Sequence, residues 1–168
     1  MEFGEVDEGF EEAEVIMEDD FFFEGNTHLP MEQHATVAIP ELDGKITVYS
    51  STQTPHYLHK AMAKVLEIPA SHIRIIAAPN GGGFGGKNSV YAEPALVMHA
   101  ARELKRPVRW VAERGEAFLT DTHGRDQVST VSLALDGDGT FKALKVETVG
   151  NIGAWCGTMG PFTPTMGS

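Results

Sequence analysis

The segment Ile73–Asn88 reads IRIIAAPNGGGFGGKN, a short apolar run that leads directly into a glycine-rich loop. The β-branched residues of its first half predict a strand. The five glycines around Phe84 allow main chain to approach a ligand closely and to adopt positive φ angles. Successive N–H groups in such a loop form an anion-binding concavity. This segment therefore predicts a fold that contains strands, with a binding site at the loop.

Two β-hairpins are predicted around this segment, because each pair of strand-like runs is separated by an Asp-Gly turn. Their strands are Ala35–Ile39 with Lys45–Ser50, and Gln127–Leu135 with Phe141–Val149. A further short strand is predicted over Val108–Val111 and a short helix over Glu113–Leu119.

Two main helices are predicted from apolar residues at helical spacing. The first follows Thr54, a predicted N-cap, and Pro55. Its apolar residues are Tyr57, Leu58, Ala61, Met62, Val65 and Leu66. The second begins at Pro94, and its apolar residues are Leu96, Val97, Ala100, Ala101 and Leu104. The fold class is α+β, with a mixed or antiparallel sheet and two main helices.

The charge of the chain is uneven. The net charge is −11, and all residues before Lys45 include fourteen acids and no Lys or Arg. This balance argues against nucleic acid as a partner. No apolar run reaches the length of about 20 residues that a membrane span needs, and no basic leader is evident, so we expect a cytoplasmic protein. The single cysteine, Cys156, excludes an iron–sulfur cluster held by this chain alone, and we expect it to be a small buried residue.

Three segments are expected along the chain. Residues 1–27 form an acidic lead-in, with a short helix within Val6–Ala13 and a strand at Phe21–Phe23 that is buried on both faces or packed on an absent partner. Residues 28–150 form the main domain. Residues 151–168 are the truncated start of a following segment, so we expect a fragment of a longer polypeptide.

The glycine loop has several interpretations. Gly81 and Gly86-Lys87 match a phosphate-binding P-loop, except that Asn88 replaces the Ser or Thr that holds magnesium. Gly81, Gly83 and Gly86 match the glycines of a dinucleotide fingerprint. Both alternatives need a helix that opens at the end of the loop, and Pro94 places the helix start too far away. A purely structural glycine turn also stays open.

A family resemblance rests on two spaced motifs. Gln53 lies in the segment Ser50–Pro55, and Phe84 follows 31 residues later within the glycine run. Together they resemble the large, molybdopterin-binding subunit of the xanthine dehydrogenase and aldehyde oxidase family. His28–Ala38 and Arg106–Arg109 are also similar. The chain looks closest to members known as aerobic carbon-monoxide dehydrogenase large chains and hydroxybenzoyl-coenzyme A reductase large subunits.

The resemblance implies part of a molybdenum-cofactor-binding domain in a molybdenum-dependent oxidoreductase. It implies that Gln53 hydrogen-bonds an oxygen on molybdenum and that the main chain of Phe84 approaches the metal, neither of them binding it directly. Gly82, Gly83 and Gly85 would let that main chain come close to the cofactor. Asn88 would lie near the substrate, where purine-oxidising members carry a glutamate. The family's general base lies outside this chain, so no catalytic residue is expected here and the fragment alone should be inactive.

The resemblance also implies cofactors and partners. The cofactor is molybdopterin, with the cytosine dinucleotide form as one candidate, and FAD and [2Fe-2S] clusters belong to companion subunits or domains. The substrate is a small molecule, and the full enzyme is a higher oligomer. Lys87 is expected either to neutralise a cofactor phosphate or to be solvated. The alternatives are a nucleotide-binding module that uses the glycine loop and a non-catalytic scaffold fragment.

Overall fold

The computed structural model describes residues 2–153. Within them the chain forms two compact units, residues 27–123 and residues 2–26 together with 124–153. Cys156 and nearly all of the predicted segment 151–168 lie outside the described residues, and the predicted segment boundaries stay a prediction. In the described part of the chain, no helix is long and apolar enough to cross a membrane.

Seven strands and four α-helices form these units. The strands are β1 Val15–Phe23, β2 Ala35–Pro40, β3 Ile46–Ser50, β4 Ile73–Ala77, β5 Val108–Val111, β6 Gln127–Leu135 and β7 Phe141–Gly150. The helices are α1 Val6–Glu11, α2 Pro55–Val65, α3 Ala92–Leu104 and α4 Arg114–Thr120. The mixture of helices with antiparallel and parallel strand pairs confirms the predicted α+β class.

The unit of residues 27–123 is built on a four-stranded sheet with the order β4-β3-β2-β5. β2 pairs antiparallel with β3, which confirms the first predicted hairpin, and β3 pairs parallel with β4 through the crossover helix α2. The even-numbered residues of β2 and β3 form the covered face, because side chains alternate between the faces of a strand. That face is apolar over Ala38, Ile46 and Val48, and its buried residues become polar where β3 ends, at Ser50.

Helices α2 and α3 supply the rest of this core. Leu58 and Met62 of α2 are buried against it, as the helical spacing predicts. Helix α3 begins at Ala92, two residues before the predicted start at Pro94.

Helix α3 buries only part of the predicted apolar face. It buries Val97, Met98 and Ala101, whereas Leu96 and Leu104 are more than 60% exposed. The prediction was wrong for these two leucines because the run of apolar residues is wider than the face that packs on the sheet.

The second unit contains the sheet β1-β6-β7 and the short helix α1. β6 and β7 form the second predicted hairpin, and β1 pairs antiparallel with β6, with Phe21 opposite Ser129. The expected strand at Phe21–Phe23 is therefore confirmed. The alternative that buries it on both faces is wrong, because all three phenylalanine side chains are at least half exposed and every other residue of β1 is exposed as well within the described residues. The alternative that they pack on an absent partner stays a prediction.

Candidate functional site

The glycine loop connects β4 to a short 3₁₀ turn, Gly86–Asn88, and α3 begins only at Ala92. Three of its residues adopt positive φ angles: Gly82 at 101°, Phe84 at 51° and Gly85 at 93°. Gly82 and Gly85 lie in a region that side chains rarely adopt, so glycine is required at these two positions by the backbone itself. The loop thus turns sharply on both sides of Phe84.

Gln53 follows the end of β3 and bonds the loop through its side chain. Its Oε1 accepts hydrogen bonds from the main-chain N–H groups of Gly85 and Lys87, each at 3.2 Å. Both partners are donors, so the contacting atom must be the amide oxygen. The Nε2 donor is therefore directed elsewhere, and within residues 2–153 no group accepts from it. The structure brings the predicted Gln53 and the loop around Phe84 into direct contact.

Further hydrogen bonds join the end of β3 to both ends of the loop. Gln53 N donates to Lys87 O at 3.1 Å, and Asn80 Nδ2 donates to Thr52 O at 3.0 Å. The Thr54 hydroxyl donates to Asn88 O at 3.0 Å and does not cap α2, so the predicted capping role of Thr54 was wrong. These bonds fix the position of Gln53 relative to the loop.

The middle of the loop carries unused donors. Within residues 2–153, no group accepts a hydrogen bond from the main-chain N–H groups of Gly82, Gly83 or Phe84. The Phe84 side chain is 72% exposed. Three successive free N–H groups next to a free amide nitrogen suit a ligand that is rich in oxygen acceptors.

Lys87 is not the solvated lysine that was one of the two sequence expectations. Its side chain is fully buried, and its Nζ donates to Glu32 Oε2 at 2.6 Å. Its charge is therefore paired within the chain, and its role toward a cofactor phosphate stays a prediction. The same Glu32 oxygen accepts from Gly81 N at 2.9 Å.

Glu32 is the site residue that the sequence did not reveal, since nothing local connects it to a loop 49 residues away. Burial alone would raise the pKa of Glu32, but hydrogen bonds from Lys87 and Gly81 outweigh it. The pKa of Glu32 therefore lies below its ordinary value of 4.5, and the side chain is a carboxylate at neutral pH.

Tyr91 supports the far end of the loop. Its hydroxyl donates to Gly86 O at 2.8 Å. Burial raises the pKa of Tyr91 above its ordinary value of 10.0, so the hydroxyl remains a donor. The ring of His34 lies 4.7 Å from that of Tyr91, and His34 Nε2 is 2.9 Å from the buried carboxylate of Asp121.

Asn88, expected near the substrate, is half-buried at the end of the 3₁₀ turn. Its main chain accepts from Thr54 and donates to Gly85 O at 3.1 Å. Within the described residues its side chain makes no hydrogen bond, and its expected place near the substrate stays a prediction.

Comparison with known proteins identifies the family. Residues 1–168 match the molybdopterin cofactor-binding domain. The nicotinate dehydrogenase large molybdopterin subunit of Eubacterium barkeri is 34% identical over 98% of this chain and 38% of its own length. A xanthine dehydrogenase of Drosophila pseudoobscura pseudoobscura is 35% identical over 89% of this chain and 11% of its own. The crystal structure of quinoline 2-oxidoreductase from Pseudomonas putida 86 superposes with a TM-score of 0.80 at 32% identity, over 93% of this chain and 20% of that one.

The chain belongs to the molybdopterin cofactor-binding domain family, and the resemblance expected from Gln53 and the glycine run is confirmed at the level of the family. The chain spans well under half the length of these relatives.

Proposed function

We propose that this chain is part of the large subunit of a molybdenum-dependent oxidoreductase and that Gln53 and the loop of residues 82–85 contact its molybdopterin cofactor. The proposal rests above all on one observation. Gln53 Oε1 is bound by two main-chain donors of the glycine loop, so its Nε2 is the only end of the amide left for a ligand.

The residues fit this cofactor. Molybdopterin presents oxygen acceptors, on its phosphate and around the metal, and the site offers free N–H donors at Gly82, Gly83 and Phe84 as well as the Gln53 amide. Gly82 and Gly85 present main chain without a Cβ atom to whatever occupies the loop.

The chain's own residues have separate parts in this proposal. When bound, the cofactor supplies the two-electron chemistry on a small-molecule substrate. Gln53 would direct its amide donor toward the bound cofactor, and the loop would set how closely the Phe84 main chain approaches it. Asn88 replaces the glutamate of purine-oxidising members, so its neutral carboxamide would contact a substrate other than a purine. The general base lies elsewhere in the full protein.

The proposal includes the remaining parts of the enzyme. Companion subunits or domains would hold FAD and [2Fe-2S] clusters, which would supply electron transfer, and the assembled enzyme would be a higher oligomer. The cytosine dinucleotide form of the cofactor and a cytoplasmic location are expectations from the sequence that belong to the same proposal.

A nucleotide-binding module is less well supported. In a P-loop the lysine reaches the bound phosphates, whereas Lys87 is buried and bonded to Glu32. The first regular helix after the loop begins at Ala92, so its N-terminal N–H groups do not belong to the loop.

Two substitutions of Gln53 test the proposal in the full-length protein. A carboxylate in Gln53→Glu still accepts from Gly85 and Lys87 but no longer donates, whereas Gln53→Ala loses both functions. We expect Gln53→Glu to keep the wild-type melting temperature and to lose turnover at least about tenfold, as when a donor is lost at a reacting centre. Molybdenum and pterin content are measured for each variant. A wild-type protein that carries no molybdenum, or a Gln53→Glu variant with normal turnover, contradicts the proposal.

A further inference from the structure

One oxygen atom of Glu32 joins the two ends of the glycine loop. Glu32 Oε2 accepts from Gly81 N at 2.9 Å, where the loop begins, and from Lys87 Nζ at 2.6 Å, where it ends. Glu32 N also donates to Gly81 O at 3.2 Å, so Glu32 and Gly81 are bonded in both directions. A Cβ atom at Gly81 would lie 2.7 Å from Glu32 Cβ, which shows how closely the two residues pack.

The bond to Lys87 is strong because of where the lysine lies. The Lys87 side chain has no exposed surface, whereas that of Glu32 is 36% exposed. A buried ammonium group needs a counter-ion, and a charge-assisted hydrogen bond in such a site is stronger than one between neutral groups. Lys87 N is at the same time bonded to Gln53 Oε1. The Glu32–Lys87 pair and Gln53 therefore act on the same residue of the loop.

The segment that carries Glu32 is itself held in place. Arg114 of α4 donates from Nη2 to the main-chain oxygens of Pro30 and Met31, at 2.6 and 3.2 Å. These bonds tie the main chain immediately before Glu32 to the N-terminus of α4. The main chain that carries the Glu32 carboxylate is therefore held in place on this side of the loop.

We propose that Glu32 is a positioning residue for the cofactor site: its carboxylate holds Gly81 and Lys87 together and so sets the shape of the loop between them. This inference rests on the proposed function for its consequence, since the N–H groups of Gly82, Gly83 and Phe84 lie between the two points that Glu32 joins. The geometry assigns Glu32 no contact with substrate or cofactor.

The test compares full-length wild type with Glu32→Ala by three measurements: amide hydrogen exchange over residues 79–88, molybdenum per protein, and melting temperature. We expect exchange over this segment to become faster by about tenfold or more, as expected when a buried hydrogen bond is lost, and molybdenum content to fall. Glu147→Ala is the matched control, because it removes an acid from an exposed ion pair with Lys145. It should leave all three measurements unchanged.

The double variant Glu32→Ala/Lys87→Met separates positioning from stability. Removing both charges relieves the buried, unpaired ammonium, so the melting temperature should recover toward that of wild type. The loop still lacks the carboxylate that accepts from both of its ends, so amide hydrogen exchange over the loop should stay fast and the molybdenum content should stay low. If amide hydrogen exchange over the loop is as slow in the double variant or in Glu32→Ala as in wild type, the inference is overturned. The double variant also provides the answer if Glu32→Ala does not fold.

The outcomes distinguish this inference from the proposed function. Fast loop exchange in the Glu32 variants of a protein that never contains molybdenum supports the positioning role and contradicts the proposed function. Unchanged loop exchange in the Glu32 variants, together with loss of turnover in Gln53→Glu, contradicts the positioning role and supports the proposed function.

Discussion

Gly83 lies so close to Gln53 that a methyl group at position 83 would collide with the glutamine amide, with the added Cβ atom 2.9 Å from Gln53 Cγ. Gly83 has no positive φ angle, so its backbone does not demand glycine. Glycine is required at position 83 because the Gln53 side chain occupies the space that a Cβ atom would need. This contact connects the two motifs that identified the family, because Gln53 can take its position beside the loop only if residue 83 has no side chain.

The first prediction concerns Gly83→Ala. The added methyl group must displace the Gln53 amide, so the bonds to Gly85 and Lys87 should break, with an overpacking cost of about 1–3 kcal/mol. We expect a lower melting temperature and a lower molybdenum content in the full-length protein. Gly115→Ala in α4 is the control, since nothing lies within 4 Å of a Cβ atom there. Equal behaviour of the two variants would show that the contact has no effect.

The second prediction concerns pH. The pKa of Glu32 is lowered in the folded protein, so the unfolded chain binds this proton more readily. The contribution of Glu32 to stability is therefore complete above its ordinary pKa of 4.5 and is lost as the pH falls through the lower, folded-state value. The melting temperature of wild type should fall more steeply in this acidic range than that of Glu32→Gln. Parallel pH profiles for the two proteins would contradict the role of the carboxylate.

The third prediction concerns Tyr91→Phe. The substitution removes the hydroxyl that donates to Gly86 O and leaves that oxygen without this donor. We expect a loss of about 1–3 kcal/mol, seen as a lower melting temperature, and faster amide exchange at the 3₁₀ turn. Tyr49→Phe on β3 serves for comparison because Tyr49 is 43% exposed. A larger effect at Tyr49 would count against the supporting role of Tyr91.

The fourth prediction separates the two faces of α3. Met98 is fully buried, whereas Leu96 on the same helix is 65% exposed. Met98→Ala should cost about 2–5 kcal/mol through lost burial and a residual cavity. Leu96→Ala should lie within about 0.5 kcal/mol of wild type, as for most surface substitutions. Denaturant midpoints of the two variants measure the difference, and similar midpoints would contradict the assigned packing face.

Local chemistry predicted the local parts of the fold. The Asp-Gly turns predicted both hairpins, and Pro55 with the apolar spacing of Leu58 and Met62 predicted α2. The pairing of β1 with β6 could not be predicted in the same way, because Val15 opposes Leu135 and no turn joins them. The three phenylalanines indicate a strand but carry no information about which distant strand completes it.

The residues of the candidate site differ in the same way: those within local motifs could be predicted, and the one that depends on a distant contact could not. The family resemblance carried by Gln53 and the glycine run was sufficient to predict that the two lie together, and Gln53 does contact the loop. Glu32 was not predicted as a site residue, because its role depends on its bond to Lys87. From the sequence alone, a lysine that follows a glycine loop is expected to be solvated or to face a ligand. Only the packing of the segment before β2 shows that this lysine is buried.

Phe84 holds a main-chain torsion of 51° that a bulky residue adopts at a cost, while its ring lies mostly in solvent and gains little from burial. Glycine at this position would relieve the torsional strain, so Phe84→Gly should leave the chain at least as resistant to heat as wild type. Within the described residues the Phe84 ring therefore contributes little to folding stability, as at positions where stability is traded for function.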